Sequence, residues 1–477
     1  MGAIAYFIDE YQAIIGLVIL GVMLVAFIVE RFPAAVIALF GACTFLFLGI
    51  LDSDSLLRVF SNPAPITIGA MFVLSGALLR TGTIDAIASR IVARAAKHPK
   101  LATFELFLGA FIASAFMNNT PVVLVLIPIM ARLAEATGVS VRRLLIPLSY
   151  ICIMGGMMTL IGTSTNLIVD AVAREEGLEA FGIFEITPYG LIAALAGAIT
   201  LAVFGPMLLP EGRLVDIPFL SRLRVRILGI TRHRTLPGPD LPSARMRAAD
   251  RLLVTGSADA IRRMYENPNL LGVGQTRTRE FRRDRAPIAI AALAGVVILA
   301  ALNIVSIAVA AILAMGAILA ARCIDAEEAW GSIDGNVLIL IFAMLAVGLG
   351  LQRAGSVDLI VQTMVPLLFA APEWSLIFVV YFLSVLLTEV VTNNAVAVIV
   401  TPIVIGLAAQ LGVDPRPLVI AVMFAASASF ATPIGYQTNT LVYAAGNYRF
   451  VHFLKAGLPL TFVVGLTTCC TIAFLFA

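Results

Sequence analysis

Histidine, cysteine and lysine are scarce in this sequence of 477 residues, and each scarcity removes a class of chemistry. The three histidines, His98, His233 and His452, are isolated from one another, so no histidine-based catalytic or metal cluster is expected. The five cysteines, Cys43, Cys152, Cys323, Cys469 and Cys470, show no metal-ligand spacing and lie mostly in apolar runs, which implies no disulfide framework. Only Lys97, Lys100 and Lys455 among the 32 basic residues are lysine. Charge is short overall: 13% of residues are charged, against about 25% in average soluble chains. With 60% hydrophobic residues and a mean hydropathy of +1.01, the chain reads as an all-α polytopic membrane protein. The first apolar run lacks a basic leader and carries Asp9 and Glu10 at its front, so no cleavable signal peptide is expected. No nucleophile–base pair is visible either; the chain is not expected to be an enzyme or to need an organic cofactor.

What the sequence does have is polar residues where lipid would forbid them. The run A-F-M-N-N-T-P-V-V-L-V-L-I-P-I-M holds Asn118, Asn119 and Thr120, followed at once by Pro121. The device recurs downstream as T-E-V-V-T-N-N-A-V-A-V-I-V-T-P-I-V, with Thr392, Asn393 and Asn394. Aligning the triplets brings Pro128 onto Pro402. Non-helical backbone at membrane depth is tolerated only where it is buried in protein or lines a cavity. Asn, Ser and Thr cap helix N-termini, and Pro suits the first helical turn. Each triplet therefore reads as the start of a half-helix whose positive end points into the protein. Two such breaks at matched places mark a membrane transporter.

A membrane crossing needs about 20 apolar residues. The ranges 11–29, 33–51 and 64–80 qualify. The range 84–97 carries Arg90, Arg94 and Lys97 on one face and reads as an interfacial amphipathic helix. A broken hairpin follows at 101–137, then a helix over 141–161 that breaks at Gly162-Thr163-Ser164-Thr165 and resumes near Asn166, then a span over 187–209. The second half repeats this plan: spans at 287–302, 304–321 and 336–352, a short apolar helix at 358–369, and a hairpin at 373–410. A helix over 417–432 then breaks from Pro433 to Thr438 and resumes near Asn439, before a final span over 451–477. Arg80-x-Gly82-x-Ile84-Asp85 matches Arg353-x-Gly355-x-Val357-Asp358, and Gly162-x-x-Thr165-Asn166 matches Gly435-x-x-Thr438-Asn439, both 273 residues apart. Five crossings per half, about ten in all, require the two repeats to be inverted, with the site at the midplane between them.

Three divisions follow: residues 1–210, the first repeat; 211–285, an insertion; and 286–477, the second repeat. The insertion holds 16 of the 32 basic residues and no long apolar run. Leu223–Ile230 and 250–256 alternate like strands there and 258–265 reads as a short helix, a small α+β unit. Its only aromatics of note are Phe219, Tyr265 and Phe281, too few for base stacking, so its basic charge points to anionic lipid rather than nucleic acid. It contains no Gly-x-Gly-x-x-Gly, so a dinucleotide fold is not supported. With the insertion inside, only Arg58, Arg174, Arg353 and Arg416 fall outside and the other 28 basic residues fall inside. That bias places both termini outside and the insertion in the cytoplasm of an inner-membrane protein.

The motifs M-N-N-T-P, G-T-S-T-N, L-T-E-V-V-T-N-N, A-T-P-I-G-Y-Q-T-N and G-N-Y-R-F together resemble the divalent anion/sodium symporter family. The nearest branch is that of sulfate-type permeases with a TrkA-C-like cytoplasmic insertion. The resemblance implies a homodimer, a scaffold with a moving transport domain, an elevator movement, and an anion held with flanking Na⁺. The family's Ser-Asn-Thr falls on Asn118-Asn119-Thr120 and on Thr392-Asn393-Asn394. Because the full Ser-Asn-Thr is absent, the expected cargo shifts from a dicarboxylate to a small inorganic oxyanion, sulfate first.

The expected anion site comprises Asn118, Asn119, Thr120, Thr392, Asn393, Asn394, Thr432 and Pro433. The expected Na⁺ ligands are Asn119, Gly162, Thr163 and Asn166, with Asn393, Gly435, Thr438 and Asn439. No Lys or Arg lies near either break, so helix N-termini, amides, hydroxyls and the co-bound cation must hold the anion. Glu389, three residues before Thr392, reads either as a proton site or as a structural brace. Rival readings are a dicarboxylate or other oxyanion transporter of the same superfamily, proton-coupled or efflux, and a membrane anion sensor without flux.

Overall fold

A computed structural model describes residues 2–29, 31–95, 97–210, 225–232, 234–236, 251–256, 281–302, 304–368, 372–389, 391–433, 435–446 and 448–476. Among the described residues, ten helices precede the insertion: α1 Gly2–Val29, α2 Ala34–Phe47, α3 Ser53–Val59, α4 Pro63–Arg80, α5 Thr83–Arg94, α6 Pro99–Phe116, α7 Asn119–Thr137, α8 Arg142–Gly156, α9 Ser164–Glu175 and α10 Thr187–Leu208. After it come α11 Ala286–Ala301, α12 Ile307–Ala320, α13 Ala326–Ser332, α14 Gly335–Arg353, α15 Ser356–Leu368, α16 Glu373–Thr388, α17 Asn393–Leu411, α18 Pro415–Ser427, α19 Gln437–Ala445 and α20 Phe450–Phe476.

The bounds keep a register. Both ends of α12 lie 273 residues beyond those of α2, and both ends of α13 lie 273 beyond those of α3. From α7 to α17 the offset is 274 at both ends, and each helix stops at a left-handed glycine, Gly138 and Gly412. Packing follows the same register: α2 lies on α14 as α12 lies on α4, α6 on α8 as α16 on α18, and α7 on α19 as α17 on α9.

Among the described residues, eight helices are long and apolar enough to cross a membrane, and five shorter apolar helices include α7, α16 and α18. The outer helices carry large apolar side chains to the surface, among them Val22, Phe40, Phe47, Ile199, Met207, Phe462 and Phe474. Contiguous apolar surface of that extent fits lipid, not water. By contrast α8 and α18 are buried almost all round, which makes them the centre of the molecule. The face of α5 that carries Arg90 and Arg94 is exposed, while Ala88 and Ile91 are buried.

Boundaries differ from expectation at both broken helices. Helix α8 ends at Gly156, before the expected 161, and α18 ends at Ser427, before the expected 432. Met157 to Ile161 is apolar enough to look helical. Its backbone instead turns so that the Leu160 N–H reaches the Ile183 carbonyl at 3.0 Å and the Thr159 hydroxyl bonds the Ala115 carbonyl. The short helices α3 and α13 were not anticipated. Asp52 caps the first, accepting from the Ser55 N–H at 3.0 Å, and Asp325 with Glu328 forms a capping box on the second. In the insertion, β1 (Val225–Arg232) pairs antiparallel with both β2 (Arg234–Leu236) and β3 (Arg251–Gly256). The expected helix over 258–265 lies outside the described residues.

Candidate functional site

Each hairpin turns at a polar tip because the second helix needs an N-cap. Helix α6 ends at Met117, whose backbone is extended, and Asn118 caps α7 by accepting from the Thr120 N–H at 3.3 Å. Asn119 behind it is 1% exposed. Its Oδ1 accepts from the Ser114 hydroxyl at 2.5 Å, and that hydroxyl also lies 2.8 Å from the Cys152 carbonyl. The second tip repeats this: the Thr388 hydroxyl lies 2.9 Å from Asn393 Oδ1 and 3.0 Å from the Ala426 carbonyl. Thr392 caps α17 in extended conformation, and Asn393 and Asn394 are half-buried.

The tips cross over. Thr120 of the first donates to Gln437 Oε1 of the second break at 3.0 Å. Asn394 of the second accepts from Ser164 and Thr165 of the first break at 3.4 and 3.3 Å. Thr120 and Asn394 are 274 apart, and Ser164 and Gln437 are 273 apart, so these contacts are counterparts. Residue i of one half meets j of the other, and the reverse also holds, which is the pattern of a two-fold arrangement.

Inside each break an asparagine holds the unwound carbonyls. Asn166 Nδ2 donates to the Thr159 carbonyl at 3.0 Å and to the Gly156 carbonyl at 3.4 Å. Asn439 Nδ2 donates to the Thr432 and Ser429 carbonyls at 3.0 and 2.8 Å, and its Oδ1 accepts from Ser149 at 2.7 Å. Ser149 also reaches the Thr438 hydroxyl at 2.9 Å. Thr438, Asn439 and Asn166 are thus committed to the packed interior of the breaks, whereas Thr163 and Asn119 meet Tyr436 of the other half. Gly162 is required by a close approach, since a Cβ there would sit 2.5 Å from the Gly156 carbonyl oxygen. A Cβ on Gly435 would strike the Ser429 hydroxyl. The Pro433 carbonyl accepts from Thr440 at 2.8 Å.

Glu389 braces the second break. Its carboxylate accepts the N–H of Ala431 at 2.8 Å and of Thr432 at 2.9 Å. The Thr432 hydroxyl returns to the Glu389 carbonyl at 3.3 Å and accepts the Gly435 N–H at 3.0 Å.

Tyr436 was missed by the sequence reading, though its place is legible: the repeat offset sets it opposite Thr163. Its hydroxyl accepts from Asn119 Nδ2 at 2.9 Å and lies 3.0 Å from Thr163 Oγ1. A cavity of about 10 Å³ is lined by Asn118, Ile161, Thr163, Ser164 and Leu167 and by Ile68, Met71 and Phe72 of α4, all of the first half. It has room for about one water. At the far end of α9, Asn62 of α4 donates to Glu175 at 2.5 Å and Gln352 of α14 to Glu176 at 2.8 Å, tying the broken helix to its neighbours.

Comparison with known proteins agrees with this architecture. The family model described as CitMHS, citrate transporter, matches residues 24–413 and again 373–477. The chain is 27% identical to the uncharacterized transporter sll0640 of Synechocystis over 98% of both chains. It is 28% identical to sodium/sulfate cotransporter 1 of Chlamydomonas reinhardtii over 45% of this chain and 28% of that one. The structure of MtrF from Neisseria gonorrhoeae, from a class of antimetabolite efflux pumps, covers 95% of this chain and 94% of its own at a TM-score of 0.54. At 13% identity that likeness is one of fold.

Proposed function

The chain belongs to the CitMHS citrate transporter family, and on that premise we propose that it is a Na⁺-coupled symporter of a small divalent oxyanion, sulfate first. The observation that carries the reading is the reciprocal crossing of the two hairpin tips onto the opposite breaks. Such a crossing brings four helix ends, four asparagines and several hydroxyls together, and no lysine or arginine takes part in these contacts among the described residues. Donors of that kind suit an anion, and hydroxyl and carbonyl oxygens suit a hard cation whose charge offsets it. In this reading the anion meets Asn118, Asn119, Thr120, Thr392, Asn393, Asn394, Thr432 and Pro433. Na⁺ lies against Asn119, Gly162 and Thr163 on one side and against Asn393 and Gly435 on the other. Asn166, Thr438 and Asn439 shape the carbonyls behind.

The shared register and exchanged packing of the halves support two inverted repeats, with 101–137 and 373–410 as re-entrant hairpins. On that plan α6–α10 and α16–α20 form a transport unit that moves against α1–α4 and α11–α14 as an elevator, in a homodimer of the inner membrane. Termini lie outside and the insertion, a TrkA-C-like unit, lies in the cytoplasm. Glu389 acts as a brace, because both carboxylate oxygens already accept backbone amides.

The runner-up cargo is a di- or tricarboxylate, favoured by the family's name. Radiolabelled sulfate uptake into proteoliposomes, with and without an inward Na⁺ gradient, tests the proposal. Uptake that requires Na⁺ and is competed by thiosulfate and molybdate but not by succinate or citrate is the expected result. Competition by citrate moves the cargo to carboxylates, and uptake driven by a pH gradient alone removes Na⁺ from the mechanism. Binding without flux would make the protein a sensor.

A further inference from the structure

Among the described residues, Tyr436 is the one side chain with hydrogen bonds from the second break to both the tip and the break of the first half. It stands as N-cap of α19 in extended conformation, and its ring is buried, the residue being 9% exposed. The phenol oxygen accepts from Asn119 at 2.9 Å, and Asn119 is itself oriented by Ser114, which takes its other amide atom. The same oxygen lies 3.0 Å from the Thr163 hydroxyl. Thr163 and Tyr436 are 273 residues apart and so occupy the same place in the two halves. Two counterparts can touch each other only near the axis that relates their halves. The Thr163–Tyr436 contact therefore marks the midline of the site, and the phenol of Tyr436 reaches it.

This makes the site asymmetric. On the first side the Asn119 amide is spent on the phenol. On the second, among the described residues, Asn393 accepts from Thr388 through Oδ1 and its amide group makes no matching donation to a side chain of the first break. A long anion with a carboxylate at each end would need donors on both sides of the midline and clear space between them. A compact tetrahedral oxyanion has no second carboxylate to place and needs no such clear length between the tips.

From this geometry we infer that Tyr436 is the specificity-determining residue: it sets an upper size limit that admits compact oxyanions and excludes extended di- and tricarboxylates. The inference rests on the transport reading above and names the group that fixes its cargo. Loss of the hydroxyl weakens binding without enlarging the gap; loss of the ring enlarges the gap.

The test compares the full-length wild type with Tyr436→Phe and Tyr436→Ser, each checked for monodispersity in detergent. Anion-dependent thermal stabilisation and Na⁺-driven uptake are both read with sulfate, malonate, succinate and citrate. Wild type should prefer sulfate, with affinity falling as the anion lengthens. Tyr436→Phe should keep that order while weakening sulfate roughly threefold to tenfold, the worth of one hydrogen bond. Tyr436→Ser should shift the sulfate-to-succinate ratio toward succinate by about tenfold or more, the scale on which pocket size discriminates. An unchanged ratio in folded Tyr436→Ser overturns the inference. If that variant does not fold, the wild type decides: succinate or citrate bound as tightly as sulfate overturns it equally. A wild type that carries anions but shows no size order refutes the role of Tyr436 alone; a wild type that binds no anion refutes the transport reading and this one with it.

Discussion

The two helix breaks share one hydrogen-bond plan and complete it with different atoms. In both, a threonine hydroxyl returns to a carbonyl at the end of the hairpin's first helix, Thr159 to Ala115 and Thr432 to Glu389, and an asparagine holds two carbonyls of the unwound stretch. The first break satisfies amides with backbone carbonyls: Met158 reaches the Gly155 carbonyl and Leu160 the Ile183 carbonyl beyond α9, both at 3.0 Å. The second break unwinds further, and two of its amides turn to the Glu389 carboxylate, where the first half has only Ala115. A buried amide must find an acceptor, and at membrane depth water does not supply one. The acid in the second half is thus the consequence of a longer unwound stretch, and the Tyr436 ring is what that stretch carries to the midline.

The strongest way to break the comparison is to remove that acid. Glu389→Ala leaves two buried amides unpaired at about 1–3 kcal/mol each, so thermal unfolding in detergent should fall well below wild type and uptake should be lost. Glu389→Gln keeps one acceptor oxygen and should recover about half of the stability. A Glu389→Ala protein as stable as wild type would refute the bracing role, and proton-driven flux abolished by a fully stable Glu389→Gln would return the residue to a coupling role.

The tips come next, since they are counterparts with unequal partners. Asn119→Ala takes one partner each from the Ser114 hydroxyl and the Tyr436 phenol, which keep the Cys152 carbonyl and the Thr163 hydroxyl, and losing two hydrogen bonds should cost about 1–3 kcal/mol of stability as well as transport. Asn393→Ala disturbs one hydroxyl, Thr388, and should cost under about 1.5 kcal/mol while abolishing uptake. Melting curves and uptake measured together separate the pair; wild-type uptake in Asn393→Ala would remove the second tip from the site.

The bracing asparagines give a smaller difference. Asn166 and Asn439 each hold two carbonyls, but only Asn439 also accepts from Ser149. Asn439→Ala should exceed Asn166→Ala by about the value of one hydrogen bond, roughly 1 kcal/mol, in the same melting experiment. Equal losses would show that the Ser149 contact contributes nothing.

Much of this was legible in the sequence because lipid makes polar residues conspicuous. Asn118-Asn119-Thr120 and Thr392-Asn393-Asn394 stand out in apolar runs, and Gly162 and Gly435 do the same. The limits of the breaks were not legible, because Met157, Met158, Leu160 and Ile161, and Ala428, Phe430 and Ala431, are apolar enough to pass for helix; tertiary acceptors, not local pattern, unwind them. Tyr436 was hidden for a related reason. A tyrosine among apolar residues looks like packing, and only its 273-residue relation to Thr163 reveals that it sits on the midline. The α3 and α13 helices had visible caps, Asp52 and the Asp325–Glu328 box, but at 7 residues each they carry little periodicity.

The least effect is expected at the outer ends of the broken helices, where the halves differ again. Arg142 at the start of α8 donates to the Gly446 carbonyl at 2.8 Å. Arg416 at the start of α18 grips Glu185 with two parallel bonds of 2.6 and 2.8 Å and stacks on Phe181, 4.2 Å from the ring centroid. Lysine can replace the charge but neither the fork nor the stacking. Both groups of the Arg416–Glu185 pair are about a quarter to a third exposed, so solvent screens them and the bidentate geometry is worth under about 1 kcal/mol. Arg416→Lys should therefore lower the melting temperature slightly at low salt, and the gap to wild type should narrow as salt rises, because the pair is near water. A gap that does not narrow would mean that the Phe181 stacking, not the charge, anchors this end of the helix.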